Sequence, residues 1–371
     1  MKAAVLGCGA VGSRVARRLA EAGLEVVAFD LDPSALAVVE GVEGVSTVRE
    51  DLSSLEALRK ALRSVDVACD CLPGWLGFKA MEAAAEEGVK LASASYTPED
   101  PFRLDEEAGK TGALIVPDCG VAPGLSNILA GRAYAKLDEL LELHIRVGGL
   151  PSTPSPPLRH VSTWSLHDLL DEYDRPVRLV RDGKLVVVDP LSEVLTVWIE
   201  GVGLFEGFYS DGLRTMLRTI KARNMDEVTL RHRGHLASMK ALAELGLLTD
   251  RRLKVEGRDV EARRLLEGLL SEAWRGFIDD LLVLEVEAVG AKDGERLRLK
   301  SLLVKVDPNS SPVVEVTAAV CSAIASMAAH DELRAEGICP PELIGMNEPS
   351  YVKFTQRLGE ERLRDLEPIR L

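Results

Sequence analysis

A chain of 371 residues with 46 % hydrophobic and 28 % charged residues is too long for one ordinary compact domain and apolar enough to fold without covalent staples. Its net charge of −14 disfavours adhesion to nucleic acid or to an anionic membrane, because a polyanion would approach against the summed field, so the expected partner is a small molecule. Cys8, Cys69, Cys71, Cys119, Cys321 and Cys339 form no Cys-x-x-Cys pair, which argues against a zinc knuckle or a thioredoxin-like couple and reads as mostly buried thiols of a reducing compartment.

The opening Met1-Lys2-Ala3-Ala4-Val5-Leu6 runs straight into a glycine turn, without the separate charged, apolar and cleavage regions of a signal peptide, and the expected location is the cytoplasm. Val316 to Ala329 falls short of the roughly 18 apolar residues of a membrane span and reads as a buried helix. Abundant Glu, Arg, Leu and Ala beside a single glutamine, Gln356, fit a heat-adapted source.

Between Met1 and about Pro117, β-like runs alternate with helical ones. Strands are expected at Val5-Leu6, Glu25–Phe29, Val65–Ala68, Lys90–Ser93 and Ala113–Val116, and helices at Arg14–Ala22, Leu55–Leu62 and Phe78–Glu87. That order predicts a parallel sheet with helical crossovers. After Asp118–Gly124 the rhythm changes. Pro151-Ser152-Thr153-Pro154-Ser155-Pro156-Pro157 must be irregular, since proline that dense supports neither helix nor ladder. Strand-like runs follow at Val177–Val188 and Glu193–Tyr209, then helical stretches at Asp211–Ala222 and Gly234–Leu247. Leu281–Gly290 and Arg296–Val306 flank Lys292-Asp293-Gly294-Glu295, a hairpin turn by its Asp-Gly. The fold class is therefore α/β: a Rossmann dinucleotide-binding domain plus an α+β substrate domain with a mainly antiparallel sheet.

Gly7-Cys8-Gly9-Ala10-Val11-Gly12 follows the first strand and opens the first helix. Gly7 permits the tight turn, Gly9 lets the backbone approach a pyrophosphate, and Gly12 lets the helix pack on the sheet, while the helix N-terminus of Ala10 and Val11 faces the anion. Asp30 ends the second strand at the roughly 20-residue distance where a carboxylate can accept from ribose hydroxyls. Leu31-Asp32-Pro33 then brings no cation for a 2′-phosphate, so NAD is the expected cofactor; Asp32 and Ser34 are better placed than Asp30 to cap the next helix. Later strand ends should line the same crevice: Asp51 and Leu52 near adenine, Leu72, Pro73 and Gly74 near the ribose and nicotinamide, and Ser93 to Tyr96, including Ser95, beneath the reacting ring.

At Asp118-Cys119-Gly120-Val121-Ala122-Pro123-Gly124-Leu125-Ser126-Asn127 the chain resembles the saccharopine dehydrogenase family, and within it the lysine 6-dehydrogenase branch. Pro73–Lys79, Gly148–Pro151, Thr163-Trp164-Ser165, Ser210–Arg214 and Thr229–His235 extend the resemblance over nearly the whole chain. It implies a Rossmann domain over 1–120 completed by about 312–371, and a substrate-binding and dimerisation domain over 121–311, hence a homodimer. It also implies hydride exchange between a nicotinamide cofactor and a carbon bearing an amine. The family's saccharopine reductases carry an aspartate before the Pro-Gly and a cysteine before the Gly-Gly-Leu-Pro; this chain has Ala122 and Val147, which favours a simple amine such as the ε-amine of lysine.

Such a site needs cations for the α-carboxylate and a path for the amine proton. Arg231 and Arg214 are the candidates for carboxylate recognition, His235 for a proton relay, Asp118 or Asp211 for an ammonium, and Tyr96 for a hydroxyl near the nicotinamide. Each also has a plainer reading: Arg231 as a surface ion pair, His235 as a packed or capping histidine, Asp211 as a helix N-cap, Tyr96 as a buried ring and Lys79 as a solvated helix residue. His144, His160, His167 and His330 have no ligand spacing, so no metal is expected. Reductive condensation of an amine with a carbonyl acid, and a non-catalytic NAD-binding module, are the alternatives.

Overall fold

The computed structural model describes residues 1–162, 165–275, 280–307, 309–333, 335–359 and 367–370; Thr163 and Trp164 of the Thr-Trp-Ser motif lie outside the described residues. In chain order it contains β1 (Lys2–Leu6), α1 (Ala10–Glu21), β2 (Glu25–Asp30), α2 (Pro33–Ala37), β3 (Val45–Arg49), α3 (Leu55–Leu62), β4 (Val67–Asp70), α4 (Gly74–Glu87), β5 (Lys90–Ser93), α5 (Asp105–Thr111), β6 (Leu114–Val116) and α6 (Leu125–Lys136). Next come β7 (Glu139–Pro151), α7 (Leu166–Asp171), β8 (Val177–Arg181), β9 (Lys184–Val188), β10 (Leu195–Ile199), β11 (Gly203–Tyr209), α8 (Met216–Thr219), β12 (Asn224–Arg231), α9 (His235–Glu244), β13 (Arg252–Val255), β14 (Arg258–Glu261), α10 (Ala262–Ala273), β15 (Asp280–Lys292) and β16 (Glu295–Asp307). The last are α11 (Pro312–Ala329), β17 (Gly337–Ile338), α12 (Pro341–Met346), α13 (Glu348–Leu358) and β18 (Glu367–Arg370). Contacts divide the chain into two compact units, Met1–Lys136 with the segment from Val314, and Leu137–Val313 with the chain end.

The first unit is a parallel sheet in the order β17-β6-β5-β4-β1-β2-β3. Sequence order reverses on either side of β1, and the crevice between β1 and β4 is the switch point at which such sheets take ligands. Both faces of the central strands are covered, so β4 is buried at all four positions and reads as an unbroken apolar run but for its last residue, Asp70. Leu58, Leu62, Met81, Leu91 and Ile115 form the core beneath α3 and α4; trimming fully buried Leu58 or Leu91 to alanine would cost about 2–5 kcal/mol. Asp32 caps α2 through the Ser34 N–H, as its sequence position suggested. Two differences stand out against the sequence reading. β3 is an added strand, hidden because an edge strand with mostly exposed side chains lacks an apolar pattern. And α6 packs backbone to backbone on α12, where a Cβ on Gly131 would lie 2.0 Å from the Glu342 carbonyl oxygen. The unit thus extends to Lys136 and draws on the C-terminal segment. Helix α11 is long and apolar enough to cross a membrane by composition alone, yet it is mostly buried in the protein, as core helices are.

In the second unit the sheet order is β10-β11-β12-β7-β15-β16-β18, with β8 and β9 branching from β12. Among the described residues of this sheet only β12 and β7 run parallel. The run Val177–Val188 resolves into a hairpin with Asp182 and Gly183 both at positive φ, and Glu193–Tyr209 into a second hairpin. Residues 211–222, expected as a helix, hold only the single turn α8. Gly212 packs against the Glu227 carboxylate and Arg214 sits at φ 48°, and both departures interrupt helical geometry. The Lys292–Glu295 turn joins β15 to β16 as expected.

Candidate functional site

The first unit presents a glycine turn at the uncapped N-terminus of α1. Gly7 lies at φ 85°, and a Cβ there would meet the Cys71 carbonyl oxygen at 2.7 Å; a Cβ on Gly12 would lie 1.9 Å from the Gly7 carbonyl oxygen. Around Gly9 nothing stands within 4 Å of a built Cβ, so any side chain there would fill open space directly off the helix end. No side chain caps α1, and its intrahelical bonding starts with the Ser13 N–H to the Gly9 carbonyl. The N–H groups of Ala10, Val11 and Gly12 are left to point off the end, with the positive pole of the helix.

Asp30 braces this turn. Its Oδ2 accepts from the Cys8 N–H at 2.7 Å and its Oδ1 from the Asp32 N–H at 2.9 Å, which leaves lone pairs for ribose hydroxyls. Leu31 beside it is 55 % exposed. The expectation of no nearby cation is corrected: β3 sets Arg49 opposite Asp30 in register, exposed, with its Nε donating to the Leu31 carbonyl at 3.1 Å. Sequence distance hid it, because the strand that carries it was not recognised. Asp51 is exposed and caps its own turn through the Ser53 N–H, whereas Leu52 is buried in the core and offers a cofactor no side chain.

Pro73 and Gly74 start α4. Leu72 is fixed from both sides: its N–H donates to Asp70 Oδ1 at 3.0 Å and its carbonyl accepts from Ser95 Oγ at 2.7 Å. Asp70, absent from the sequence candidates, is 0 % exposed, and burial pushes its carboxyl up to about 6 against the pull of hydrogen bonds from Ser93, Leu72 and Ser95. The signal was available, an acid closing an otherwise apolar strand. Tyr96 is half-buried after β5, and Asp118 is buried after β6 with its backbone at φ 54°.

The second unit gathers Arg231 and His235 around a residue the sequence reading missed, Tyr173. Arg231 is 2 % exposed, so it is no surface ion pair. Its Nη2 donates to Glu172 at 2.7 Å, its Nη1 to the Leu230 carbonyl at 3.0 Å and its Nε to the Tyr173 hydroxyl at 2.7 Å. His235 opens α9; its Nδ1 donates to the Leu158 carbonyl at 2.7 Å, so its Nε2 accepts from the Tyr173 hydroxyl at 2.8 Å. Burial first, then the Arg231 charge, pushes His235 down to about 3, while burial lifts Tyr173 to about 12. At neutral pH this is a neutral hydroxyl–imidazole pair with both ring nitrogens engaged. His160 lies beside it, ring centroids 5.0 Å apart, also held uncharged by burial. Arg214 is 7 % exposed on the loop after β11. Asp211 is held by Arg178, which binds its two oxygens at 2.7 and 3.0 Å, and only the single turn α8 follows it rather than the long helix expected for it to cap.

A strand order reversing at β1, a glycine turn, an uncapped helix end and an acid at the close of β2 define a Rossmann-type nucleotide-binding unit, joined here to a mainly antiparallel second unit. The chain belongs to the saccharopine dehydrogenase family: residues 3–116 match the saccharopine dehydrogenase NADP binding domain and residues 120–363 the saccharopine dehydrogenase C-terminal domain. Over 284 residues it is 24 % identical to saccharopine dehydrogenase [NADP(+), L-glutamate-forming] of Saccharomyces cerevisiae, covering 72 % of this chain and 62 % of that protein. Over 157 residues it is 28 % identical to alpha-aminoadipic semialdehyde synthase of Arabidopsis thaliana, 41 % of this chain and 15 % of that one. The chain thus spans less than two thirds of the length of these curated relatives. The solved apo saccharopine dehydrogenase (L-Glu forming) from Saccharomyces cerevisiae has the same fold, with a TM-score of 0.79 at 17 % identity over 100 % of this chain and 99 % of that one.

Proposed function

We propose that this protein is a pyridine-nucleotide-dependent oxidoreductase acting on the amine of an amino acid, with NAD as cofactor and the ε-amine of lysine as substrate. The observation that carries the reading is the cradle of the first unit, where Gly7 and Gly12 let the backbone pack tightly and Gly9 leaves open space off the uncapped end of α1 that a diphosphate would fill. A bound nicotinamide would accept the hydride from the amine-bearing carbon. The chain's own residues do the rest. Asp30 holds the glycine turn and offers its remaining lone pairs to a ribose. Arg214 and Arg231 are the cations for a carboxylate, and Arg231 must share its guanidinium with Glu172 to serve. His235 is neutral at working pH and its one ring proton is engaged by the Leu158 carbonyl, so proton traffic there would run through the Tyr173 hydroxyl. Ala122 and Val147 bring no polar group for a larger condensed substrate.

A second cofactor reading has its own observation. Arg49, beside the Leu31 carbonyl and opposite Asp30, is a cation within reach of a 2′-phosphate, which favours NADP, the nucleotide in the names of the yeast relative and of the matching domain. The test is to mix the chain with NAD or NADP and lysine and follow reduced cofactor. No reduction across a panel of amino-acid amines refutes the lysine reading. Oxidation of reduced cofactor only when an amine and a carbonyl acid are supplied together moves the assignment to reductive condensation.

A further inference from the structure

Asp70 closes β4 with Leu6 of β1 on one side and Ser93 of β5 on the other. Leu6 leads straight into the glycine turn, so this carboxylate stands at the strand ends that flank the switch point, the crevice in which such sheets take a dinucleotide. It is fully buried, yet its partners among the described residues are neutral: the Leu72 N–H on Oδ1, the Ser93 hydroxyl at 2.7 Å on Oδ2, and Ser95. The titratable groups around it are the thiols of Cys69 on its own strand, of Cys71 just after it and of Cys321 on α11, hydrogen-bonded to both, all held protonated by their surroundings. Asp118 follows the next strand but one, and among the described residues no lysine, arginine or histidine hydrogen-bonds or ion-pairs with Asp70.

A buried acid without a counter-charge is costly, and folds retain one where the site itself supplies the missing cation. The oxidised nicotinamide ring is a cation and the reduced ring is neutral; adenosine, both riboses and the diphosphate are common to the two forms. We infer that Asp70 is the counter-charge for the oxidised ring, so that the protein binds oxidised dinucleotide in preference to reduced. The inference rests on the dinucleotide reading of the first unit and adds to it a direction: the site is biased toward taking up the form that accepts hydride. It also gives the bias a pH dependence, because the carboxyl is ionised above about 6 and neutral below.

The test measures dissociation constants of the full chain for oxidised and reduced dinucleotide, using whichever pair, NAD+/NADH or NADP+/NADPH, binds more tightly, by calorimetry at pH 8 and pH 5. The wild type prefers the oxidised form at pH 8, and Asp70→Asn lowers that affinity ratio about tenfold, the scale of one unit charge felt through a partly screened interior. Ser93→Ala disturbs the same hydrogen bonds but keeps the charge, so at pH 8 it keeps the ratio even where both affinities fall. Between pH 8 and pH 5 the wild-type ratio drops and that of Asp70→Asn stays level. An unchanged ratio in Asp70→Asn, a wild-type ratio that ignores pH, or a Ser93→Ala ratio that collapses like that of Asp70→Asn overturns the inference. If Asp70→Asn does not fold, the wild-type pH series decides alone. If neither form binds the wild type, the dinucleotide reading fails and takes the inference with it.

Discussion

Replacing Asp70 by Asn should stabilise the protein at neutral pH. The carboxyl is raised from 3.8 to about 6 because its burial outweighs its hydrogen bonds, a displacement of about two units and, at about 1.36 kcal/mol each, close to 3 kcal/mol. The folded state therefore holds this proton more tightly than the unfolded chain. Stability falls as pH rises from about 4 through about 6, and the full cost is present at pH 7. Asparagine keeps an oxygen for the Leu72 N–H and turns an amide toward the Ser93 hydroxyl, so most of the packing survives while the charge is gone. The gain should approach 3 kcal/mol above pH 7 and vanish near pH 4. In a unit of this size that is roughly 6–12 °C in unfolding temperature. Scanning calorimetry or thermal shift on both proteins from pH 4 to pH 8 reads it directly. Parallel curves at all pH values, or a variant less stable than wild type at pH 8, would refute the reasoning.

The cradle glycines should separate by role: Gly9→Ala keeps the wild-type unfolding temperature but weakens dinucleotide binding tenfold or more, whereas Gly12→Ala, which drives a Cβ into the Gly7 carbonyl, destabilises the first unit in a thermal melt. Arg49→Ala should lower affinity for NADP more than for NAD in a binding titration, and equal losses would remove the residue from the 2′ position. Tyr173→Phe removes a hydroxyl that both accepts from Arg231 and donates to His235; the expected loss is about 1–3 kcal/mol by urea denaturation. Because His235 is depressed to about 3, the unfolded state takes up its proton first, so this group costs stability as pH falls below about 6.5; His235→Leu should flatten that part of the profile.

What the sequence made legible was local. Gly7, Gly9 and Gly12, the apolar strands around them and Asp30 are read from neighbours along the chain, and the structure places them together. So did the Asp293-Gly294 turn, whose residue types fix its φ angles. The misses share one cause, a partner far away in sequence. Arg49 depends on an edge strand with no apolar pattern, Arg178 claims Asp211 from 33 residues upstream, and Tyr173 reaches Arg231 from 58. Tertiary contact, rather than propensity, decided residues 211–222, where a carboxylate from β12 crowds Gly212. Asp70 was visible as a residue but not as an acid whose partners are all uncharged, since that property belongs to the described residues packed around it.

The first unit is built from two stretches of chain, and α11, α12 and β17 complete what β1 to α6 begin. During synthesis the early stretch must therefore wait, its β6 edge and the face awaiting α12 uncovered, while Leu137 to Val313 are made. At about 5–20 residues per second that delay is on the order of ten to forty seconds. Nascent chains stalled within this interval would be sticky and protease-sensitive, and would depend on a holding chaperone in a way that the finished protein does not.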